Sequence, residues 1–289
     1  MPDDRAAAVV DRCTEAAATW LPLAGPIEAQ LAPLNDVLFP AAGLRPGESV
    51  IDVGCGTGDT TRRAASLVGG TGQVLGIDAA RNAIEHARHH PAGTHDPDTA
   101  PITWAVADAQ RHAFPAAAAD AVISRLGVMF FDEPVEAFAN LAAATRPGGR
   151  FCAVVWTFRD ESPFLQLNLT VAVETAASYG WTLDAGPPDA APFGFATDET
   201  LGILAKAAWE DPGLRRHRVP LYARGPGTPP ETIADEFVAS GPLASQLQGA
   251  PPEVVEAVRR AVREELTTCW DGRGVRLDAS VAVLTATRA

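Results

Sequence analysis

The sequence predicts a single α/β domain built on a mostly parallel sheet with helices on both faces. Short apolar runs alternate with helical patterns between residues 49 and 156, a glycine-rich turn follows the first run, and no internal repeat breaks this order. We divide the chain into an N-terminal helical layer (1–45), a sheet core (46–157), an excursion containing a sixth strand (158–275) and a last strand (276–289).

The elements follow from hydrophobic periodicity and from turn residues. In the first two parts, helices are predicted over 3–20, 27–42, 60–68, 80–90 and 134–145, and strands over 49–54, 73–79, 102–108, 118–125 and 150–156. After Trp156 the alternation stops, and we predict helices over 163–179, 198–210, 229–240 and 251–268 with strands over 215–223 and 276–288. Because the sheet core is generic, substrate recognition is expected in this excursion.

The net charge of the chain limits the kinds of molecule that we expect as partners. The chain has 289 residues and a formal net charge of −13, which argues against a nucleic-acid partner and against an anionic membrane surface. The N-terminus lacks the basic start and apolar run of a signal peptide, and no stretch of about 18 apolar residues is present. We therefore expect a cytoplasmic protein with a small-molecule partner. Its oligomeric state is not readable from the sequence.

No metal site is predicted. The four cysteines have no paired spacing that would indicate zinc or a disulfide framework. The histidines and the aspartate between residues 89 and 96 fall in a loop rich in proline and glycine, where a solvated loop is the simpler interpretation: His89, His90, His95 and Asp96.

The segment VIDVGCGTGDTT (50–61) carries the strongest functional signal. A strand runs through three glycines into a helix, which allows a ligand to approach the backbone and the free N–H groups of the helix start. The dinucleotide fingerprint GxGxxG would require a glycine at position 59, where this chain has Asp59. Because Asp52 and Asp59 would repel a pyrophosphate, the loop favours a ligand with a cationic part.

This segment resembles the first motif of the class I S-adenosylmethionine-dependent methyltransferases. Three further segments match in order: Asp78 and Asp108 close the second and third strands, and RPGGR (146–150) precedes the fifth. Residues 124–141 are similar to a bacterial subgroup related to the ubiquinone/menaquinone C-methyltransferases. The resemblance implies a Rossmann-like, doubly wound sheet of seven strands whose last strand is antiparallel.

The resemblance also implies that S-adenosyl-L-methionine is the cofactor and that residues 46–157 bind it. Asp52 would meet the methionine ammonium, Asp78 both ribose hydroxyls, and Asp108 the adenine amine. Backbone N–H groups of the loop, with Thr60 or Thr61, would serve the carboxylate. The predicted cofactor-binding set is Asp52, Gly54, Cys55, Gly56, Gly58, Thr60, Thr61, Asp78, Ala79, Asp108, Ala109 and Arg125. Alternatively, the three glycines form a tight turn between the strand and the helix and bind no ligand.

Catalytic residues are not identified by the sequence. The only candidates are Arg125, Asp132, His112 and His217, because the segment after the fourth strand contains no His, Lys or Cys. Large apolar residues beyond the strand ends indicate a pocket for a hydrophobic acceptor, with core packing as the alternative: Met129, Phe130, Trp156, Phe158, Trp181 and Phe193.

The function predicted is methyl transfer to a small-molecule acceptor such as a specialised metabolite, with N-, O- and C-methylation left open. The alternative is a scaffold that binds S-adenosylmethionine but catalyses another reaction, such as a cyclisation, or acts as a regulatory binding protein. A nicotinamide-dependent reductase is a further alternative, disfavoured by Asp59.

Overall fold

The computed structural model of the chain describes residues 4–89, 98–240 and 243–289. Its centre is a seven-stranded sheet in the order β3-β2-β1-β4-β5-β7-β6. The strands are β1 (Ser49–Val53), β2 (Gln73–Asp78), β3 (Ile102–Val106), β4 (Ala119–Arg125), β5 (Thr145–Trp156), β6 (Trp209–Tyr222) and β7 (Arg276–Arg288). β7 runs antiparallel to both of its neighbours, while the pairs among β1 to β5 are parallel. The predicted fold class is confirmed.

Helices cover the sheet. Three of them precede β1: α1 (Asp4–Trp20), α2 (Ala24–Leu31) and α3 (Asn35–Ala42). The core and the excursion contribute α4 (Asp59–Val68), α5 (Arg81–His89), α6 (Pro134–Ala144), α7 (Pro163–Ser178), α8 (Asp198–Lys206), α9 (Pro230–Ala239), α10 (Ala244–Leu247) and α11 (Pro252–Thr268). Among the described helices, none is both long enough and apolar enough to cross a bilayer.

Four predicted elements differ clearly from the structure in their bounds, among them the fifth strand, which begins at Thr145 and not at residue 150. The helix predicted over 27–42 is two helices, because Pro33 lies in a 3₁₀ turn (Ala32–Leu34) and has no N–H to continue the helical ladder. β6 begins at Trp209, well before the predicted residue 215, and α8 ends earlier to allow this. Trp209 is buried against Phe151, which fixes the early start of the strand. Most of the predicted loop 90–101, with His90, His95 and Asp96, lies outside the described residues.

The apolar residues form two large clusters. The main core joins both faces of the sheet to α3, α4, α6 and α8. A second cluster packs α7, α9, α10 and α11 against the start of β7. Phe164 is half-buried and contacts both clusters. The excursion after β5 therefore has apolar packing of its own beside the sheet.

The chain segments that leave β1 and β4 make an unusually close backbone contact. A Cβ atom at Gly54 would lie 2.7 Å from the Cα of Gly127, and one at Gly127 would lie 2.6 Å from the Val53 carbonyl oxygen. The Ser124 hydroxyl donates to the same Val53 oxygen at 2.8 Å and accepts from the Gly127 N–H at 3.2 Å. The chain can leave β1 and β4 this close together only because both positions are glycine.

We expect Gly127→Ala to lower the free energy of unfolding by about 1–3 kcal/mol, because the added methyl group overlaps backbone that cannot move aside. Gly202→Ala in α8 is the matched control, since a Cβ there meets nothing within 4 Å and alanine favours a helix. Urea denaturation of both variants measures the difference. Equal stability of the two would contradict the steric role of Gly127.

Candidate functional site

The site lies at the carboxyl ends of the parallel strands. β1 is flanked by β2 on one side and β4 on the other, so the strand order reverses there and a crevice opens beyond the strand ends. The cleft has a volume of about 400 Å³, and α1 and α2 form the wall opposite the sheet. Its size falls within the range of small-molecule sites.

Asp52 on β1 is completely buried beneath the glycine-rich loop. Its Oδ2 accepts hydrogen bonds from the hydroxyls of Thr60 (2.7 Å) and Thr61 (2.6 Å), while its Oδ1 is buried without a hydrogen-bond partner among the described residues. Burial raises the pKa of Asp52 to about 6, and the two threonine hydroxyls oppose that rise. Thr60 lines the cleft, whereas Asp52 and Thr61 lie behind it.

The loop after β1 is held against β2. The N–H groups of Gly54 and Cys55 both donate to the Ile77 carbonyl, at 2.9 and 3.2 Å. Gly54, Cys55 and Gly56 line the cleft. Gly58 does not: it has a φ of +89°, and its missing Cβ leaves room for the ring of Trp104. The structure therefore gives Gly58 a packing role behind the cleft.

Asp78 ends β2 and is fixed by the backbone. Its Oδ2 accepts from the Gly56 N–H and its Oδ1 from the Ala80 N–H, both at 2.8 Å. Burial raises the pKa of Asp78, although these two N–H groups act in the opposite direction. Asp78 and Ala79 line the cleft, and each carboxylate oxygen of Asp78 retains acceptor capacity there.

Asp108 follows β3 at the next strand end. Its carboxylate is buried and accepts from the backbone N–H of Gln110 at 3.0 Å. The side-chain amide of Gln110 donates to the same oxygen at 3.2 Å and accepts from the Glu133 N–H at 2.8 Å. Asp108, Ala109 and Gln110 all line the cleft. Gln110 was not predicted from the sequence, where nothing distinguishes it from other polar residues after a strand.

Arg125, at the end of β4, is committed to an internal ion pair. Its Nη1 lies 2.7 Å from Asp59 Oδ2 and 3.0 Å from Asn35 Oδ1, and the Asn35 amide donates to the same Asp59 oxygen at 3.1 Å. Asp59 is the first residue of α4, where a carboxylate stabilises the helix start. Arg125 lines the cleft while joining α3, α4 and β4.

The N-terminal helices supply a wall that the sequence did not clearly predict. Trp20 lines the cleft and packs against Ala17 and Ala80. Its ring lies 3.9 Å from where a Cβ of Gly56 would stand. Glu28 on α2 also lines the cleft and accepts a hydrogen bond from the Thr57 hydroxyl. No signal in the sequence pointed to Glu28.

The other proposed catalytic residues lie outside the cleft. Asp132 is exposed and pairs with Arg12 of α1 at 2.9 Å. His112 packs edge-to-face on Phe114 with ring centroids 4.6 Å apart, and burial lowers its pKa. His217 is on β6, at the sheet edge opposite β3. The structure does not bring these three residues together with Arg125.

Of the six predicted acceptor-pocket residues, only Phe130 lines the cleft, with 62% of its surface exposed. Met129 and Trp156 are buried in the main core, where the Trp156 N–H donates to the Met129 sulfur at 3.2 Å. Phe193 packs against the same core, and Phe158 is half-buried just after β5. Trp181 packs on the second cluster and donates to the Gln246 carbonyl at 3.2 Å.

The residues of the cleft fit a cationic, nucleoside-containing cofactor. The acidic side chains Asp78 and Asp108 lie at the ends of adjacent strands and line the cleft. Asp52 lies behind the cleft wall, where it accepts a hydrogen bond from the wall residue Thr60, and its Oδ1 is buried without a partner among the described residues. Among the described residues, no group of three or more His, Cys, Asp or Glu side chains could hold a metal ion. This donor set suits a ligand with hydroxyl, amine and ammonium groups.

The raised pKa of Asp52 makes stability depend on pH. The native protein holds the Asp52 proton up to about pH 6, whereas the unfolded chain releases it near pH 4. The stability that this group contributes is therefore lost as the pH rises through that window. As the pH rises from about 4 to 7, the native protein should therefore lose about 2 kcal/mol of stability relative to Asp52→Asn, which has no carboxyl group at this position.

Urea unfolding at a series of pH values measures this change. Asp278→Asn is the control, because Asp278 is exposed on β7 and its variant should follow the pH dependence of the native protein. Parallel curves for the native protein and Asp52→Asn would show that Asp52 does not titrate in this range.

Comparison with known proteins agrees with this site. A family described as a methyltransferase domain matches residues 50–149. The aklanonic acid methyltransferase DauC of Streptomyces sp. (strain C5) is 36% identical over 131 residues, which are 45% of this chain and 58% of the relative. The ubiquinone/menaquinone biosynthesis C-methyltransferase UbiE of Caulobacter sp. (strain K31) is 37% identical over 109 residues, 37% of this chain and 43% of the relative.

The chain matches about half the length of these curated relatives. Among solved structures, a proposed methyltransferase from Bacillus halodurans C-125 superposes with a TM-score of 0.53 at 16% identity, covering 88% of this chain and 97% of that one, which shows a shared fold. Residues 50–149 thus match a methyltransferase domain, and this part of the chain is similar in sequence to the curated methyltransferases DauC and UbiE.

Proposed function

We propose that this protein transfers a methyl group from S-adenosylmethionine to a small-molecule acceptor, such as a specialised metabolite. The observation that carries the proposal is the placement of Asp78 and Asp108 at adjacent strand ends, in one cleft with the glycine-rich loop. DauC, one of the relatives, is an aklanonic acid methyltransferase, which supports a small-molecule acceptor. The net charge of −13 disfavours a nucleic-acid acceptor.

In this proposal the strand ends hold the nucleoside part of the cofactor. Asp78, oriented by the Gly56 and Ala80 N–H groups, accepts from both ribose hydroxyls. Asp108, oriented by Gln110, accepts from the adenine amine. When bound, the cofactor supplies an electrophilic methyl group on a sulfonium.

The chain's own contribution to the reaction is alignment and exclusion of water. The cleft wall is mainly apolar where α1 and α2 face the sheet, with Ile27, Leu31 and Phe131 among its residues. Among the described residues that line it, none is a histidine or a lysine. The thiols of Cys13 and Cys55 are kept protonated, because burial raises the pKa of both. We therefore expect an apolar acceptor whose own nucleophile needs little help from a base.

The test is incubation with methyl-labelled S-adenosylmethionine and pools of small metabolites, followed by mass spectrometry. Labelled product with an equal amount of S-adenosylhomocysteine is the expected result. Binding of S-adenosylmethionine without release of S-adenosylhomocysteine in any pool would favour the alternative, a scaffold that does not transfer the methyl group.

The ribose assignment predicts the effect of Asp78→Asn. An amide keeps one acceptor oxygen but loses the charged, two-oxygen contact with the diol, so affinity for S-adenosylhomocysteine should fall about 10-fold or more. Calorimetry with S-adenosylhomocysteine and its 2′-deoxy analogue measures the contact directly. The native protein should prefer the natural nucleoside, and the variant should lose most of that preference.

Asp278→Asn is the control for loss of one negative charge, and it should bind as the native protein does. If Asp78→Asn kept the full preference for the 2′-hydroxyl, Asp78 would not be the ribose ligand.

A further inference from the structure

The cleft contains a carboxylate for which the family resemblance provides no role. Glu28 projects from α2 in the N-terminal layer, outside the matched methyltransferase domain, and lines the cleft beside the glycine-rich loop. Its Oε1 accepts from the hydroxyl of Thr57, a residue of that loop. In the described parts of the chain, no arginine or lysine forms an ion pair with Glu28.

The other carboxylates at the loop are already engaged. Asp59 is neutralised by Arg125 at 2.7 Å and also accepts from Asn35. Asp52 lies behind the cleft wall and is bonded to two threonine hydroxyls, so a ligand reaches it only past Thr60. Asp78 faces the ribose in the proposed function.

Arg62 is a cation that interacts with Glu28: burial lowers the pKa of Arg62, and the charge of Glu28 opposes that shift. The guanidinium of Arg62 donates to the carbonyls of Thr57 and Ala87, each at 2.8 Å, and lies 5.6 Å from the centre of the Trp104 ring. Trp104 packs on Gly58, behind the cleft. Arg62 is therefore held by backbone carbonyls and an aromatic ring, and its charge acts on Glu28 without an ion pair between the two.

From this arrangement we infer that Glu28 is the carboxylate that binds the ammonium of the cofactor's methionine part, with Asp52 acting behind it as a positioning residue. The inference rests on the proposed function, because it takes S-adenosylmethionine as the ligand. Glu28 has a second oxygen beyond the one that Thr57 engages, and a charge-assisted hydrogen bond in a largely apolar cleft is a strong contact. Asp52 would orient the hydroxyl groups of Thr60 and Thr61 and would not contact the ligand itself.

The test compares a ligand that lacks the ammonium with one that has it, each on the native protein and on a variant that lacks the Glu28 charge. Glu28→Gln keeps an oxygen that can accept from Thr57, so the loop should retain its shape. The ligands are S-adenosylmethionine, S-adenosylhomocysteine and the analogue of S-adenosylhomocysteine without the amino group, and binding is measured by calorimetry. Glu15→Gln is the matched control, since Glu15 is exposed on α1 and its loss changes the net charge equally.

We expect Glu28→Gln to weaken binding of S-adenosylhomocysteine by about 10- to 100-fold. The analogue should bind the variant as well as it binds the native protein, or better, because its remaining carboxylate no longer faces Glu28. Glu15→Gln should match the native protein with all three ligands. Glu28→Asp, which keeps the charge on a shorter side chain, should retain part of the discrimination between S-adenosylhomocysteine and the analogue.

Three results would overturn the inference. Unchanged affinity of Glu28→Gln for S-adenosylhomocysteine would remove the contact. An equal loss for S-adenosylhomocysteine and the analogue would show that Glu28 shapes the cleft without recognising the ammonium. If Glu28→Gln lowered the affinity for S-adenosylmethionine alone, the Glu28 carboxylate would interact with the sulfonium and not with the ammonium. By contrast, failure of the native protein to bind either S-adenosylmethionine or S-adenosylhomocysteine would refute the proposed function itself, and the inference with it.

Discussion

The backbone contact between Gly54 and Gly127 is the constraint on which the site depends. It brings the ends of β1 and β4 together at the point where the strand order reverses, and so forms the floor of the cleft. The segment after Gly54 can then reach the end of β2, where Ile77 and Asp78 accept its N–H groups. Side chains larger than hydrogen at these two glycines would separate the strands that the ligand must bridge.

Burial of negative charge is the second constraint, and the molecule meets it in different ways. Asp59 is paired with Arg125, and Asp78 accepts two backbone N–H groups. Asp52 keeps one oxygen without a partner among the described residues, and its raised pKa records the cost of that burial. A cleft already holding this much acidic character favours a cationic ligand over an anionic one.

The sequence predicted the elements of the sheet well, because apolar runs alternate with helical patterns and a glycine turn joins β1 to α4. Asp78 and Asp108 were predicted from the resemblance to methyltransferase motifs, and the structure places both at one edge because parallel strands end there. Glu28 and Trp20 were harder to identify, since helices outside the sheet reach the cleft only through tertiary packing. For the same reason, an apolar residue such as Trp156 could be assigned to a pocket when the fold places it in the core.

The two apolar clusters also bear on how the molecule opens. α11 packs on both α7 and α9, and α7 packs on β7, with Phe164 among the few residues that contact both clusters. Cooperative units of structure often coincide with such clusters and can unfold separately. The amides of α9 and α11 should then exchange with solvent in partial openings that leave β1, β4 and β5 protected. The residues of the second cluster could accordingly diverge in sequence while the packing of the main core around the sheet is kept.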